Sequence, residues 1–458
     1  MNSLQRMSAL KRMSIVGVGV AAMALFLTGP VQAAVSEETA FVFNTFSFLM
    51  TGALVMWMAA GFAMLEAGLV RGKNTATICL KNIALYSLAG IMYYLIGYNL
   101  MYADVDGGFI GSLSLLYNPS DAELALLGAE EATDALVGAV VENSYSVASD
   151  WFFQMVFVAT AASIVSGTVA ERIKLWPFMA FVLILTAVIY PIQGSWTWGG
   201  GWLSEMGFSD FAGSTIVHSV GGWAALSGAL ILGARKGKYG PNGQVNPMPG
   251  ANLPLATLGT FILWLGWFGF NGGSQLALGS ALDATAMAIV FANTNLAAAG
   301  GVIAAMAMTQ ILYKKVDLTM ALNGAIAGLV SITAGPDLTN HLLAIIVGGI
   351  GGVLVVFAIP LLDKLKIDDV VGAISAHLVA GIWGTLAVAI FGGGDFGVQL
   401  TGIVAIGVFV FVTSSIVWLA LKYTIGIRAS EEDEAMGLDT AELGLEAYPE
   451  FGRGSQRV

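Results

Sequence analysis

The chain has 458 residues, of which 57% are hydrophobic and only 11% are charged, whereas soluble domains carry about 25% charged residues. This composition excludes a water-soluble enzyme, and the net charge of −11 gives no support to nucleic-acid binding. The single cysteine, Cys79, excludes an intrachain disulfide and a cysteine-based metal centre, and we expect no cofactor.

The first 33 residues have the pattern of a secretory signal. Basic residues within the first twelve precede an apolar stretch at 15–27, and Val31-Gln32-Ala33 forms a small-residue cleavage site. We therefore predict a signal peptide over residues 1–33, cleaved near Ala33 or Ala34. An extra N-terminal anchor helix is the alternative interpretation.

Eleven apolar stretches follow, each close to the roughly 20 residues that a membrane-spanning helix needs. They lie near 40–67, 77–101, 151–170, 176–194, 211–233, 253–273, 284–312, 318–334, 341–361, 370–391 and 399–425. We predict an all-α polytopic membrane protein with a membrane domain over 34–427 and a C-terminal tail over 428–458.

Lysine and arginine mark one side of the membrane. They follow spans one, three, five, seven and nine and recur after the last span, whereas the loops after the even-numbered spans through the tenth contain none. Because cytoplasmic loops are rich in these residues, we predict a plasma (inner) membrane protein with its N-terminus outside and its tail in the cytoplasm. Lys81 lies within a span, and we expect its long side chain to reach back to the cytoplasmic surface.

Acidic residues are concentrated in two regions outside the spans. The segment 102–150 has nine of them and neither Lys nor Arg, and we expect a simple solvated loop on the external side. The run Glu431–Glu434 is likewise predicted to be solvated, with a possible role in capping a short helix.

An internal repeat relates the fifth and tenth spans through the shared pattern D-x2-G-x4-H-x3-G. The matching positions are Asp210, Gly213, His218 and Gly222 in one copy, and Asp369, Gly372, His377 and Gly381 in the other. A weaker echo pairs Gly61, Glu66 and Gly68 of the first span with Gly266, Asn271 and Gly273 of the sixth. Because each copy has five spans, the second must enter the membrane from the opposite side, which predicts a 5+5 inverted repeat (helices 1–5 and 6–10) plus a C-terminal helix.

The repeat brings two histidines into register. His218 and His377 each follow an aspartate by eight residues, or roughly 12 Å of helix, which puts both near mid-membrane. We expect the two imidazoles to meet on the pseudo-two-fold axis and to line a pathway, as ionisable groups within membranes usually do. For Asp210 and Asp369 we expect helix capping, with direct ligand contact left open for Asp210 because it follows a glycine-rich turn at 198–202.

Together these motifs resemble the ammonium transporter (Amt/Mep/Rh) family, in its bacterial Amt type. The resemblance extends, in order along nearly the whole chain, through 66–74, 170–172, 267–274, 323–330 and 437–439. It implies a homotrimer in the lipid membrane with one pore per subunit. It also implies a PII-type signalling protein as a partner at the cytoplasmic face, although Glu442-Leu443-Gly444 departs from the acidic-His-Gly sequence usual in the family tail.

The resemblance also implies the functional residues. The outer ammonium site is carried over to Phe157, Trp198 and Ser274, the gate to Phe157 and Phe270, and the pore and proton relay to His218 and His377. Aromatic faces attract a small cation, so ammonium, or methylammonium as an analogue, would bind outside, lose its proton and cross as ammonia, with proton co-translocation. The resemblance therefore predicts a transporter and not an enzyme.

Three other functions remain open. An ammonium sensor would use the same bundle and signal through a partner protein, since the thirty residues after Arg428 are too few for an appended output domain. A gas channel of the Rh type would accept ammonia itself, although an aromatic recruitment site argues for a cation. A membrane metalloenzyme holding zinc through His218 and His377 lacks the third ligand that such sites need.

Overall fold

The computed structural model describes residues 35–450, and the predicted signal peptide lies outside this range. The described chain contains eleven apolar helices. They are α1 (Glu37–Leu69), α2 (Gly72–Tyr102), α3 (Val147–Thr168), α4 (Leu175–Ser195), α5 (Ser214–Leu232), α6 (Leu253–Gly273), α7 (Ala281–Tyr313), α8 (Leu318–Ile332), α9 (His341–Lys364), α10 (Ile374–Phe391) and α11 (Phe396–Thr424). The predicted all-α fold is confirmed: residues 35–450 form helices and loops, with isolated β-bridges but no strand.

Ten of these helices are long and apolar enough to cross a membrane, and α8, with 15 residues, is shorter. At 1.5 Å per residue α8 is about 22 Å long. Eleven of its 15 residues are buried, so most of the helix packs inside the protein, whereas its first residue, Leu318, is exposed. The sequence prediction extended this span to residue 334, but Thr333 lies beyond the helix and its hydroxyl donates a hydrogen bond back to Leu329.

The two halves meet closely along α1 and α6, the first helix of each repeat. A Cβ atom on Gly68 would lie 2.4 Å from the backbone nitrogen of Ala256, and one on Gly259 would lie 2.2 Å from the backbone nitrogen of Leu65. Small residues let membrane helices approach until their backbones touch. Gly68 of the weaker sequence echo therefore allows the close packing of the two halves, as does Gly266 of the same echo, where a Cβ atom would lie 2.1 Å from Cγ of Met58.

The outer surface of the bundle is apolar. On α11 the side chains of Val404, Val408, Val412 and Ile416 are 48–61% exposed, and their four-residue spacing puts them on one helix face. An apolar stripe of this kind suits contact with lipid hydrocarbon. The helix is suited to the same environment because its backbone groups form their hydrogen bonds within the helix.

One end of the bundle carries a buried network of charges, and we call it the basic end. The guanidinium of Arg235 donates two hydrogen bonds of 2.9 Å to Asp368 and one of 3.0 Å to Glu171, which also binds Arg71. Burial raises the pKa of the Asp368 carboxyl, but the hydrogen bonds from Arg235 and the positive charges of Arg172 and Arg235 together outweigh it and hold that pKa well below its usual range. The network ties loops of both halves together.

The described part of the tail packs on this basic end, which corrects the expectation of a solvated acidic run at Glu434, whereas Glu431 and Glu432 are exposed as expected. Glu434 is buried and accepts a 2.8 Å hydrogen bond from Arg428. Asp439 accepts hydrogen bonds from the backbone nitrogens of Ala76 and Thr77 at the start of α2. The short helix Glu431–Met436 also accepts hydrogen bonds from the backbone nitrogen of Lys236 and from the Lys73 ammonium group, partners that the local sequence does not reveal.

The opposite end, which we call the acidic end, carries the segment between α2 and α3. This segment is not a simple solvated loop as predicted, because it contains the short helices Asp121–Gly128 and Asp134–Val141. Its last acidic residue, Asp150, belongs to α3 and is only 8% exposed. The Tyr98 hydroxyl donates a 2.6 Å hydrogen bond to the Asp150 carboxylate, and this interaction with α2 explains the burial.

Candidate functional site

The two histidines of the repeat meet in the centre of the bundle. The Nδ1 atoms of His218 and His377 are 3.2 Å apart, and the ring planes lie within 24° of each other. Each ring projects from a π-helical turn, Ser214–Ser219 in α5 and Ile374–Val379 at the start of α10. Such turns are rare and are frequent at functional sites.

The other motif positions explain how each turn is built. Gly213 and Gly372 precede the turns with φ of +107° and +83°, a conformation that glycine adopts without a steric penalty. In the second half, Asp369 to Gly372 is not helical, so α10 begins at Ile374, four residues later than the predicted 370.

The last glycine of each motif lets α5 and α10 cross beside the imidazoles. A Cβ atom on Gly222 would lie 2.6 Å from Cβ of Leu378, the neighbour of His377. Its counterpart on Gly381 would lie 2.4 Å from the carbonyl oxygen of Ser214. Since contacts this short are not tolerated, a side chain at either position would push the two helices apart. The last glycine of each motif therefore allows α5 and α10 to cross at close range.

Aromatic rings cover His218 on the side of the acidic end. The ring of Phe270 in α6 lies 5.1 Å from the imidazole of His218, and the ring of Phe157 in α3 lies 4.0 Å from that of Phe270. Trp267 also stacks on His218, with ring centroids 4.8 Å apart, and a 2.8 Å hydrogen bond from its indole nitrogen to Thr333 fixes it. The phenylalanines assigned to the gate are thus in mutual contact and both fully buried.

A cavity of about 250 Å³ opens beyond Phe157 toward the acidic end. Its lining includes Phe157, Trp198 and Ser274, the three residues of the predicted outer site. The ring of Phe157 meets that of Trp198 edge-on, with centroids 5.9 Å apart. The indole nitrogen of Trp198 donates a 3.1 Å hydrogen bond to the backbone carbonyl of Asp210, which fixes the ring at the cavity wall.

The carboxylate of Asp210 caps α5. Its two oxygens accept hydrogen bonds of 2.8–3.1 Å from four consecutive backbone nitrogens, those of Gly213, Ser214, Thr215 and Ile216. Burial raises the pKa of the Asp210 carboxyl above its ordinary value, and the four donors oppose that rise. Asp369 has the same position in the other half, where it accepts from the backbone nitrogens of Ala373 and Ile374. Both side chains are therefore engaged in capping, and neither lines the outer cavity.

A family model described as Ammonium Transporter Family matches residues 46–448. The chain therefore belongs to the ammonium transporter family. It is 39% identical to ammonium transporter Amt2 of Archaeoglobus fulgidus over 88% of this chain and 87% of that protein. It is 36% identical to ammonium transporter Amt1 of Haloferax mediterranei over 88% of this chain and 78% of that protein. The family and these relatives are transporters, so the prediction that the chain is not an enzyme is confirmed.

Solved structures of the same family have the same fold. The structure named Sensor Amt Protein is 36% identical, with a TM-score of 0.80, and the match covers 89% of this chain and all of that one. Mep2 of Candida albicans is 28% identical, with a TM-score of 0.72, over 87% of this chain and 89% of that one. The multi-pass architecture of this ammonium transporter family member is thus shared with bundles solved independently.

A second, smaller cavity lies below His377 on the side of the basic end. Its volume is about 20 Å³, and His377, Phe62, Glu66 and Asn323 are among its lining residues. Asn323 also lines a larger cavity of about 190 Å³, which lies among loop residues of the basic end, including Arg235 and Asp369. The outer cavity, the aromatic pair, the two histidines and these two cavities thus follow one another from the acidic end to the basic end of the protein.

Sequence reasoning missed two polar residues of the outer cavity. Asp150 and Gln154 line it, one turn apart on α3, and the amide of Gln154 donates a 3.3 Å hydrogen bond to the Asp150 carboxylate. Both lie on the same helix face as Phe157, at spacings of seven and three residues. That spacing was the available signal, but the assignment of Asp150 to an external loop concealed it.

Proposed function

We propose that this protein conducts ammonium nitrogen across the plasma membrane as ammonia, after the outer site has bound ammonium and removed its proton. The observation that carries the proposal is an unbroken series of contacts. It runs from the cavity at Trp198 through Phe157 and Phe270 to the imidazoles of His218 and His377, and then to the small cavity below them.

The cost of charge determines which species crosses. A full charge at the centre of a bilayer costs from about 3 to about 17 kcal/mol, depending on the method used to measure it. The contact between Phe157 and Phe270 offers a passing ion no oxygen ligand to replace its water shell. Neutral ammonia needs no such replacement, so the aromatic pair favours ammonia over ammonium.

The outer cavity is the site that binds ammonium. Trp198 and Phe157 present aromatic surfaces, each worth roughly 0.5–2 kcal/mol toward a cation, and the Ser274 hydroxyl supplies an acceptor. The buried carboxylate of Asp150, which also lines this cavity, adds negative charge. A cation-selective entrance of this kind favours ammonium binding over a simple gas channel of the Rh type.

The paired histidines supply a route for the proton that ammonium gives up. Imidazole takes up and releases protons near neutral pH, and the 3.2 Å separation of the two Nδ1 atoms is within hydrogen-bond distance. A proton can therefore pass between the rings while ammonia moves past them. Transport by this route is electrogenic.

The proposal also includes the orientation of the protein in the membrane, its assembly and its partner. We place the acidic end outside the cell and the basic end in the cytoplasm, because Lys and Arg mark cytoplasmic loops. The apolar outer surface suits assembly into a homotrimer within the lipid. The tail on the cytoplasmic face is the surface for a PII-type signalling partner.

The test is transport by the purified protein in liposomes. Proteoliposomes should accumulate radiolabelled methylammonium and give a current on a supported membrane after an ammonium jump, whereas protein-free liposomes should do neither. Trp198→Leu should raise the half-saturating ammonium concentration several-fold. Trp196→Leu is the matched control, since this tryptophan of the same turn also donates to a backbone carbonyl, that of Phe109, but does not line the cavity. Folded protein without uptake or current would contradict the proposal.

A second candidate is an ammonium sensor that signals through a partner protein. The likeness to the structure named Sensor Amt Protein favours it. A sensor should bind ammonium with the same dependence on Trp198 but give no net uptake, so the liposome experiment separates the two functions.

A further inference from the structure

A buried pair of opposite charges lies beside the conduction path on the side of the basic end. Glu66 in α1 and Lys81 in α2 are each 1% exposed. Ser166 of α3 bridges them: its hydroxyl donates a 2.8 Å hydrogen bond to Glu66 Oε2, and its carbonyl accepts a 3.0 Å hydrogen bond from Lys81 Nζ. The expectation that Lys81 reaches the surface is therefore wrong, because this carbonyl and the ring of Phe178, 4.8 Å from Nζ, hold the ammonium group inside.

The other oxygen of the carboxylate is available to a ligand. Glu66 Oε1 is buried and has no donor within the described residues 35–450, whereas Oε2 also receives a 3.3 Å hydrogen bond from Asn82. Buried polar atoms are normally paired. Glu66 lines the small cavity together with His377, so its free acceptor and one of the two central imidazoles belong to the same space.

The size of this cavity fits the transported species. Its volume of about 20 Å³ exceeds the 10–15 Å³ that one water molecule requires, and ammonia is of similar size. Asn323 lines both this cavity and the larger one at the basic end. A molecule that leaves the histidines therefore meets the Glu66 carboxylate before it reaches the wider cavity.

Glu66 is charged, whereas the equivalent position in the second half of the repeat is neutral. The counterpart of Glu66 in the second half is Asn271, a neutral amide whose nitrogen donates a 2.9 Å hydrogen bond to Thr294. The equivalent positions thus differ in charge although the surrounding helices are related by symmetry. A carboxylate at this position is the acceptor that suits a cation, either Lys81 or a passing ammonium.

We propose that Glu66 and His377 form an inner ammonium site, where ammonia regains its proton. This inference rests on the proposed function. In the step, the lone pair of ammonia takes a proton from protonated His377: an N–H bond to the imidazole breaks and a fourth N–H bond on ammonia forms. The product is ammonium, whose charge is balanced by the Glu66 carboxylate, and neutral imidazole. Ammonium then leaves past Asn323 into the larger cavity.

The test separates an acceptor for ammonium from a mere counter-ion for Lys81. Supported-membrane currents after an ammonium chloride jump are compared for wild type, Glu66→Gln, Lys81→Gln and the double variant Glu66→Gln/Lys81→Gln. The double variant removes both charges together, so it avoids an uncompensated buried ammonium group if Glu66→Gln alone fails to fold. Size-exclusion profiles confirm that each variant is folded.

The inner site predicts that the maximum current falls at least tenfold in both variants that lack the carboxylate, and much less in Lys81→Gln. The half-saturating ammonium concentration should change less than twofold, since the outer cavity is intact. A double variant with wild-type current would overturn the inference and leave Glu66 as a counter-ion only. A folded wild type without current would instead remove the proposed function on which the inference rests.

Discussion

The capping of α5 by Asp210 allows a prediction whose size follows from the hydrogen bonds. Asp210→Ala removes the acceptors of four backbone N–H groups in a position that is 3% exposed. Each buried donor left without a partner costs about 1–3 kcal/mol, so the loss is at least about 4 kcal/mol. Asp369→Ala, the matched change in the other half, removes two backbone bonds and one hydrogen bond from the Thr168 hydroxyl, and it should cost about three quarters as much.

Thermal unfolding in detergent measures this difference. With an unfolding entropy of about 2.1 cal/mol/K per residue, a chain of this length loses roughly 1 °C per kcal/mol. We expect the midpoint to fall by about 4 °C or more in Asp210→Ala, by about 3 °C in Asp369→Ala, and by less than in Asp210→Ala for Asp210→Asn, which keeps one oxygen. The apparent ammonium affinity of the Asn variant should remain close to that of wild type. Unchanged stability with a tenfold loss of affinity would refute capping and make Asp210 a ligand.

Two further changes test other parts of the pathway. Gly222→Val would put a Cβ atom 2.6 Å from Leu378, and overpacking of this kind costs about 1–3 kcal/mol. The ammonium current should therefore fall sharply as the helices separate. A current equal to that of wild type would contradict the close crossing of α5 and α10. Asp150→Asn should raise the half-saturating ammonium concentration about tenfold, or about 1.4 kcal/mol, because the carboxylate lines the same cavity and attracts a cation there at an effective dielectric constant of about 20. Tyr98→Phe keeps that charge and serves as the control, and equal effects of both variants would argue against a direct charge contribution.

The helices were predictable because each carries its signal in its own residues. Apolar length alone gave the eleven spans, and the repeated spacing from Asp210 to Gly222 and from Asp369 to Gly381 indicated the inverted symmetry. The meeting of His218 and His377 follows from that symmetry, since equivalent positions of two facing copies come together at the axis.

The buried charges were not predictable in the same way. The burial of Lys81 depends on a carbonyl of α3, and that of Asp150 on the Tyr98 hydroxyl of α2. The docking of Glu434 depends on Arg428 and on the backbone nitrogen of Lys236. In each case a charged side chain looks solvated in sequence, because the partner that compensates for its burial belongs to another element.

The most direct measurement of the central claim is the ammonium-jump current of His218→Ala and His377→Ala in proteoliposomes, beside wild type. If the paired imidazoles carry the proton while ammonia passes, the current of each variant should fall at least tenfold while both proteins remain folded. A wild-type current in both variants would contradict the proton route through the two rings.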